Sequence, residues 1–425
     1  MIVHAQKETI LHFAVMAPLY TPFYNVWGAN AYYRYDAFDL DPFTLRAAST
    51  SGSPVVLAGN AFFGFLNQCG GRFAYDGIGT LTVTCPPGQT LYYEENCDPY
   101  RVWRDYNEQV LSDFPEKSRE DFWSNLEYCT WVDQNRAGEL AGGTCWSCLN
   151  EEYVYQYMDR VEQMGLPKGK LTIDDGWDIR YAPDGRMVYG DWKIDREKFP
   201  HMEKLVSDMK DRGFIPGLWF APFTATPNSK IAMKYPDLLG DTFSQNAENE
   251  SVRRLMFLKP DARLEEYYKA VFAPYIRMGF LKFKLDMSYG NKKEMIELLK
   301  MMYRIIKEMN PAIEVEAHIP DIFATRYCDT LRINDVAFDP QGKWRGVTHE
   351  YYKVCRFSSP DTLLNLDHLG TNTPQPAWED FYAHTQLLLR LEGGYPCVSL
   401  LPDCFNQEQK QTFVDSIYQW EASRK

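Results

Sequence analysis

From Tyr128 onward, short strand-like runs alternate with longer helix-like runs, and this regular alternation leaves few folds open. The strand-like runs are Tyr128–Val132, Lys170–Trp177, Ile215–Phe223, Leu281–Met287, Ile313–His318, Thr330–Val336, Leu363–Leu369 and Tyr395–Leu401. Helix-like runs follow most of them: Glu151–Met164, His201–Arg212, Leu264–Met278, Lys292–Met309, Trp378–Leu391 and Gln407–Trp420. Eight β–α units in roughly 300 residues match the number and size of a (β/α)8 TIM barrel. A doubly wound sheet would need fewer strands and a Gly-rich phosphate turn after the first, and that turn is absent here.

Upstream, the pattern differs. Val55 to Leu57 and Leu81 to Thr84 are short apolar or alternating runs between Gly, Pro and Asn clusters, so residues 1–98 read as a small, sandwich-like β-rich domain. Helical spacing of Val102, Tyr106 and Val110 marks 99–122 as a connector, leaving 123–425 for the barrel. Two loops stand out by length: Ile179 to Phe199, with an Asp184-Gly185 hairpin signal, and Thr224 to Asp261, expected to be an irregular lid.

Composition narrows the partners. A net charge of −13 with no basic run argues against nucleic acid. No apolar run reaches membrane-spanning length. The start, Met1 to Glu8, lacks a basic segment followed by an apolar core, so the expected location is cytoplasmic and the chain soluble. The ten cysteines are scattered, several in apolar runs as at Cys129 and Cys397, which suits reduced packed thiols. Cys145-Trp146-Ser147-Cys148 is a CxxC pair without a second pair or a thioredoxin-like context, and its role stays open. Asn249-Glu250-Ser251 is a glycosylation sequon only in a secreted chain.

In a TIM barrel the chemistry sits at the C-terminal ends of the strands. Those ends carry Trp131 and Asp133; Asp174, Asp175 and Trp177; Trp219; Lys284 and Asp286; Glu316 and His318; Arg332 and Asp335; Asp367 and His368; and Asp403. Within the fourth, Lys282, Lys284 and Asp286 alternate with apolar residues and so share one face. Cleaving an acetal needs one carboxyl to protonate the leaving oxygen and a second as nucleophile or base. Asp286, on the fourth strand, and Asp335, on the sixth, are separated by one strand. Lys284 would keep Asp286 ionised as the nucleophile, and a neighbouring negative charge would let Asp335 hold its proton as the acid.

Several segments resemble known enzymes. Leu171 to Trp177, Gly190-Asp191-Trp192, Lys198-Phe199-Pro200 and Gly217 to Pro222 resemble the retaining α-galactosidases of glycoside hydrolase family thirty-six and the related families twenty-seven and thirty-one. Lys284-Leu285-Asp286 is similar to their lysine–x–nucleophile motif, and Arg332-Ile333-Asn334-Asp335 to the segment bearing their acid/base aspartate. Tyr128-Cys129-Thr130-Trp131 resembles the first-strand motif of family thirty-one. The resemblance implies a retaining exo-α-glycosidase, most simply α-galactosidase-like, that needs no cofactor or metal. It implies that Asp174 and Asp175 accept sugar hydroxyls, that Trp131 and Trp177 line the sugar subsite, and that Lys284 and Arg332 bind hydroxyls beside the two acids. Trp219, Glu316 and His318 are further candidates for substrate contact. Strand five departs from the family, with Glu314 to Pro320 in place of a Cys-Ser-Gly-Gly type segment.

Three other readings compete. One is an α-glucosidase of the same superfamily. Another is an enolising barrel in which Asp286, Glu316 and Asp335 hold a divalent ion near a Lys282-x-Lys284 base pair. The third is a sugar-binding protein without activity. The expected partner is an α-linked oligosaccharide or glycoside, and assembly with further copies of the chain stays open. Galactose against glucose, the linkage, and the roles of Lys282 and His368 are not legible from the sequence.

Overall fold

The computed structural model describes residues 1–17, 19–20, 44–45, 48–51, 54–114, 117–242, 255–288, 292–333 and 335–424. The sequon at Asn249, the middle of the Thr224 to Asp261 loop, and Asn334 lie outside these residues.

The N-terminal part is two antiparallel sheets. One contains Ile2–His4, Thr90–Glu95, Ala61–Phe65, Val55–Ala58, Leu19–Tyr20 and Thr44–Leu45. The other contains Thr9–Ala14, Thr80–Cys85, Arg72–Tyr75 and Ala48–Ser51. In Thr80–Cys85 every second residue is buried, as a half-covered strand requires. Those inward residues join Val56, Phe63, Phe65, Phe73 and Leu91 in one core.

The connector contains the helix Pro99–Leu111, capped by Asp98 with Pro99 in its first turn. Val102, Trp103 and Tyr106 pack under Val55, Leu57 and Phe62 of the first sheet. Trp103 also stacks on Phe357, and Asn107 donates to the Phe357 carbonyl, so the helix ties this sheet to the outside of the barrel.

Eight parallel strands close the expected barrel: β1 (Glu127–Cys129), β2 (Lys170–Ile173), β3 (Ile215–Phe220), β4 (Lys282–Leu285), β5 (Glu314–Ala317), β6 (Thr330–Arg332), β7 (Leu363–His368) and β8 (Gly394–Val398). Each lies within or overlaps the run read from the sequence. Outside them pack helices such as Leu264–Met278, stopped by left-handed Gly279, and Lys292–Met309, whose Met295, Ile296, Leu299, Met302 and Ile306 face inward. After β5 the described chain makes a single turn, Thr325–Tyr327, in place of a long helix. The Asp184-Gly185 signal sits in a tight hairpin, with Tyr181 bridged to Met187. The long loop after β3 holds short strands of its own, Thr224–Ala225, Leu239–Thr242 and Met256–Leu258.

The barrel interior is polar where such cores are usually filled by Val, Ile and Leu. Lys170 lies 3.0 Å from both oxygens of Glu314. Lys282 binds Glu127, lies 2.6 Å from Glu316, and also meets the Tyr395 hydroxyl. Thr172, Thr330, Asn365 and Tyr395 donate to the same glutamates. Buried charges persist only when paired and hydrogen-bonded, and this network meets that condition. Lys282 therefore has a role the sequence did not disclose: it is the central cation of the barrel core. Gly217 makes room at β3, where a Cβ would come within 2.6 Å of the Thr172 hydroxyl.

Candidate active site

The mouth is built directly on this core. Lys282 and Lys284 point inward as the alternation required, and Asp286 follows one residue past the end of β4. Its backbone nitrogen still donates to Phe220 of β3, and then Met287 turns the chain with a positive φ of 55°. The Asp286 carboxylate accepts from Trp219 Nε1 at 3.2 Å and from Arg332 Nη2 at 3.2 Å to each oxygen. Lys284 Nζ and His318 Nδ1 both stand 3.8 Å away. Burial alone would raise this carboxyl, but Arg332 first, then Lys284, hold it well below the usual carboxylate range. The expectation named Lys284 as the cation responsible; its nearer partner is Asp174, at 2.7 Å.

β6 ends at Arg332, so the strand has stopped before Asp335 and both side chains can turn to one place. Arg332 Nη1 reaches Asp335 and lies 3.1 Å from Asp367. One guanidinium thus joins three carboxyls at the mouth. Asp335 was expected to retain its proton. Instead, despite its burial, Arg332 holds it below the usual range, and Asp367 is the carboxyl pushed well above it, by burial and by the Asp335 charge.

His318 accepts from Arg332 Nη2 at 3.1 Å through Nδ1. Arginine can only donate, so the proton of a neutral ring sits on Nε2. Burial and Arg332 depress the ring's pKa and keep it neutral. Among the described residues, the buried Nε2 has no acceptor and stands as an unpaired donor.

On β2, Asp174 takes Lys284 and the Cys129 thiol on one oxygen and the Asp175 backbone nitrogen on the other. Asp175 accepts from Arg180, from Trp146 Nε1 at 2.9 Å and from the Tyr189 hydroxyl at 3.1 Å. Burial chiefly, with Asp178 adding to it, raises Asp175 to about 6 against the pull of Arg180. Arg180 also pairs with Asp178 at 2.7 Å and lies 3.9 Å over the Tyr189 ring.

Not every expected residue arrives here. Trp177 is fully buried, donates to the Trp219 carbonyl and packs against Phe220 and Tyr275, so it is core and lines no sugar subsite. Glu316 lies one layer down, its Oε2 taken by Lys282 and Asn365. Trp131 is half-buried in the first turn of the helix Trp131–Leu140 rather than on a strand. Asp133 and Asp403 bind Arg160, so strands one and eight contribute a structural ion cluster.

Trp146, Arg180, Tyr189 and Asp367 went unassigned. Tyr189 and Arg180 belong to the β2 hairpin loop, and loop conformation carries no periodic signal. Trp146 sits between the two cysteines of the CxxC segment, whose one-turn helix Cys145–Cys148 sets it against Asp175. Burial and Asp175 push the Cys145 thiol up to about 12, opposite to what a redox or metal cysteine requires.

The closed (β/α)8 barrel, with paired aspartates, lysine and arginine at its mouth, is similar in local sequence and in fold to α-galactosidases. Residues 106–266 match the Melibiase family model. The α-galactosidase of Escherichia coli is 30% identical over 89 residues, which is 21% of this chain and 12% of that enzyme. The mouse myogenesis-regulating glycosidase is 28% identical over 124 residues, 29% of this chain and 14% of that protein. These matches thus span well under two thirds of those relatives' length. In fold, the chain is similar to TtGalA, the α-galactosidase of Thermus thermophilus, at a TM-score of 0.66 and 19% identity, covering 98% of this chain and 87% of that one. The Geobacillus stearothermophilus α-galactosidase AgaB aligns at 0.60 and 14%, covering 100% and 62%. Among the described residues, no helix is long and apolar enough to cross a membrane.

Proposed function

We propose that the protein is a retaining exo-α-glycosidase of the α-galactosidase type, acting on a terminal α-linked hexose. Asp286 is the nucleophile that forms a covalent glycosyl-enzyme, and Asp335 is the acid/base. The observation that carries this reading is the joining of Asp286 and Asp335 by one guanidinium at the barrel mouth, directly beside Asp174 and Lys284. A nucleophile must be ionised, and Asp286 is held so. The neutral His318 donor, Trp219 and the Asp174–Lys284 pair supply polar groups for hydroxyls and an indole beside the reacting carbon.

The relatives support the substrate class. TtGalA has been solved with p-nitrophenyl α-D-galactopyranoside and with stachyose. The enolising alternative fares worse. The three carboxylates that would hold its divalent ion, those of Asp286, Glu316 and Asp335, surround the Arg332 guanidinium, which already supplies a cation there. A panel of p-nitrophenyl α- and β-glycosides tests the proposal. Turnover is expected on the α-galactoside above the α-glucoside; activity confined to β-glycosides would reject it.

A further inference from the structure

One buried carboxyl at the mouth has no part in that scheme. Asp367 adopts a left-handed conformation, φ 61°, that few residues other than glycine accept, though Asp and Asn do so most readily. The β7–β8 ladder breaks between Asn365 and His368 to allow it, and Asn365 Oδ1 holds the Asp367 backbone nitrogen at 2.9 Å. The effect is to turn a second carboxyl onto Arg332 Nη1, the nitrogen that reaches Asp335. A carboxyl oxygen of Asp335 also lies within 4.8 Å of one of Asp367, with the His368 ring beside both.

Two carboxyls this close inside a protein cannot both ionise cheaply, so such a pair favours retaining one proton. The groups facing this pair are Arg332 from β6, His368 from β7, Lys284 and Asp286 from β4 and His318 from β5, and Asp174 after β2 faces His368. His368 stands 3.5 Å from Asp367 and 3.8 Å from Asp335, and burial drops it to about 4, so it adds no charge at neutral pH.

Building on the retaining mechanism above, we propose that Asp367 is a positioning residue that shares a single proton with Asp335 and so keeps the acid/base supplied. In glycosylation the proton passes from Asp335 to the glycosidic oxygen while the bond from C1 to that oxygen breaks and the bond from C1 to Asp286 forms. The charge that Asp286 loses appears on the Asp335–Asp367 pair. In the second step water gives a proton to the pair, its oxygen bonds to C1, and the ester to Asp286 breaks. The three carboxyls together carry the same charge before and after each step, and Arg332, touching all three, is their common counterion.

Infrared spectra of protein carrying carbon-13 aspartate test the pair without needing turnover. At neutral pH the wild-type chain is expected to show, beyond the contribution of Asp175, a protonated-carboxyl band that disappears in Asp367→Asn and equally in Asp335→Asn. Asparagine tolerates the left-handed backbone, and circular dichroism checks that each variant is folded. Persistence of the band in either folded variant overturns the proposal. The kinetic arm uses Asp367→Asn on an alkyl α-galactoside, whose leaving oxygen needs protonation. The basic limb of kcat/KM is expected to move down by about one pH unit or more, with a smaller rate loss on the p-nitrophenyl glycoside. An unmoved limb also overturns it. If the wild type cleaves no α-glycoside, the retaining mechanism fails, and the shared proton is still decided by the infrared band.

Discussion

Arg332 sets its Nη2 3.2 Å from each carboxylate oxygen of Asp286. A planar cation held against both oxygens fixes the carboxylate's orientation as well as its charge. If Asp286 is the nucleophile, Asp286→Ala abolishes turnover, and Asp286→Gly regains it with azide, releasing a glycosyl azide of inverted configuration. Arg332→Lys, which keeps the charge and loses the planar fork, should lower kcat more than it raises KM. Steady-state kinetics with and without azide check both.

Among the described residues, the Nε2–H of His318 has no partner. Its removal should cost about one neutral hydrogen bond to substrate, roughly 0.5–1.5 kcal/mol. The expected result for His318→Ala is a fall in kcat/KM of about 2- to 13-fold, with the fold intact by circular dichroism.

Lys282 contributes to stability rather than chemistry. Lys282→Met would leave Glu127 and Glu316 buried without their cation, and breaking such a network costs about 3–5 kcal/mol. Urea denaturation of the variant should show that loss. The double variant Lys282→Met with Glu127→Gln should recover part of it.

Asp175 couples folding to pH. Its carboxyl is raised from 3.8 to about 6, so the folded chain binds this proton more tightly than the unfolded chain. The stabilisation from that proton is complete below pH 3.8 and declines as pH rises through 6. Over this window the unfolding free energy of the wild type, measured relative to Asp175→Asn, should therefore fall as pH rises.

The barrel was legible because strand and helix periodicities differ, with helix-like runs after most of eight strand-like ones, and because polar residues collect at strand ends. Alternation also placed Lys282, Lys284 and Asp286 on one inward face. It could not tell depth along the barrel, so Glu316 read as a mouth residue when it pairs with Lys282 one layer below. Nor could it give the direction of a residue just past a strand, which is why Trp177 read as a sugar platform. Asp367 was invisible as a partner of Asp335 because its position depends on a break in the β7–β8 ladder. Trp146 and Tyr189 converge on Asp175 only after two separate loops fold over it.

The central claim is double displacement through Asp286. Proton NMR of the first sugar released from p-nitrophenyl α-D-galactopyranoside, recorded before mutarotation, tests it most directly. The mechanism predicts the α-anomer as the initial product, by two inversions at C1. Initial release of the β-anomer would contradict it, leaving Asp286 and Asp335 as the acid and base of a single displacement by water.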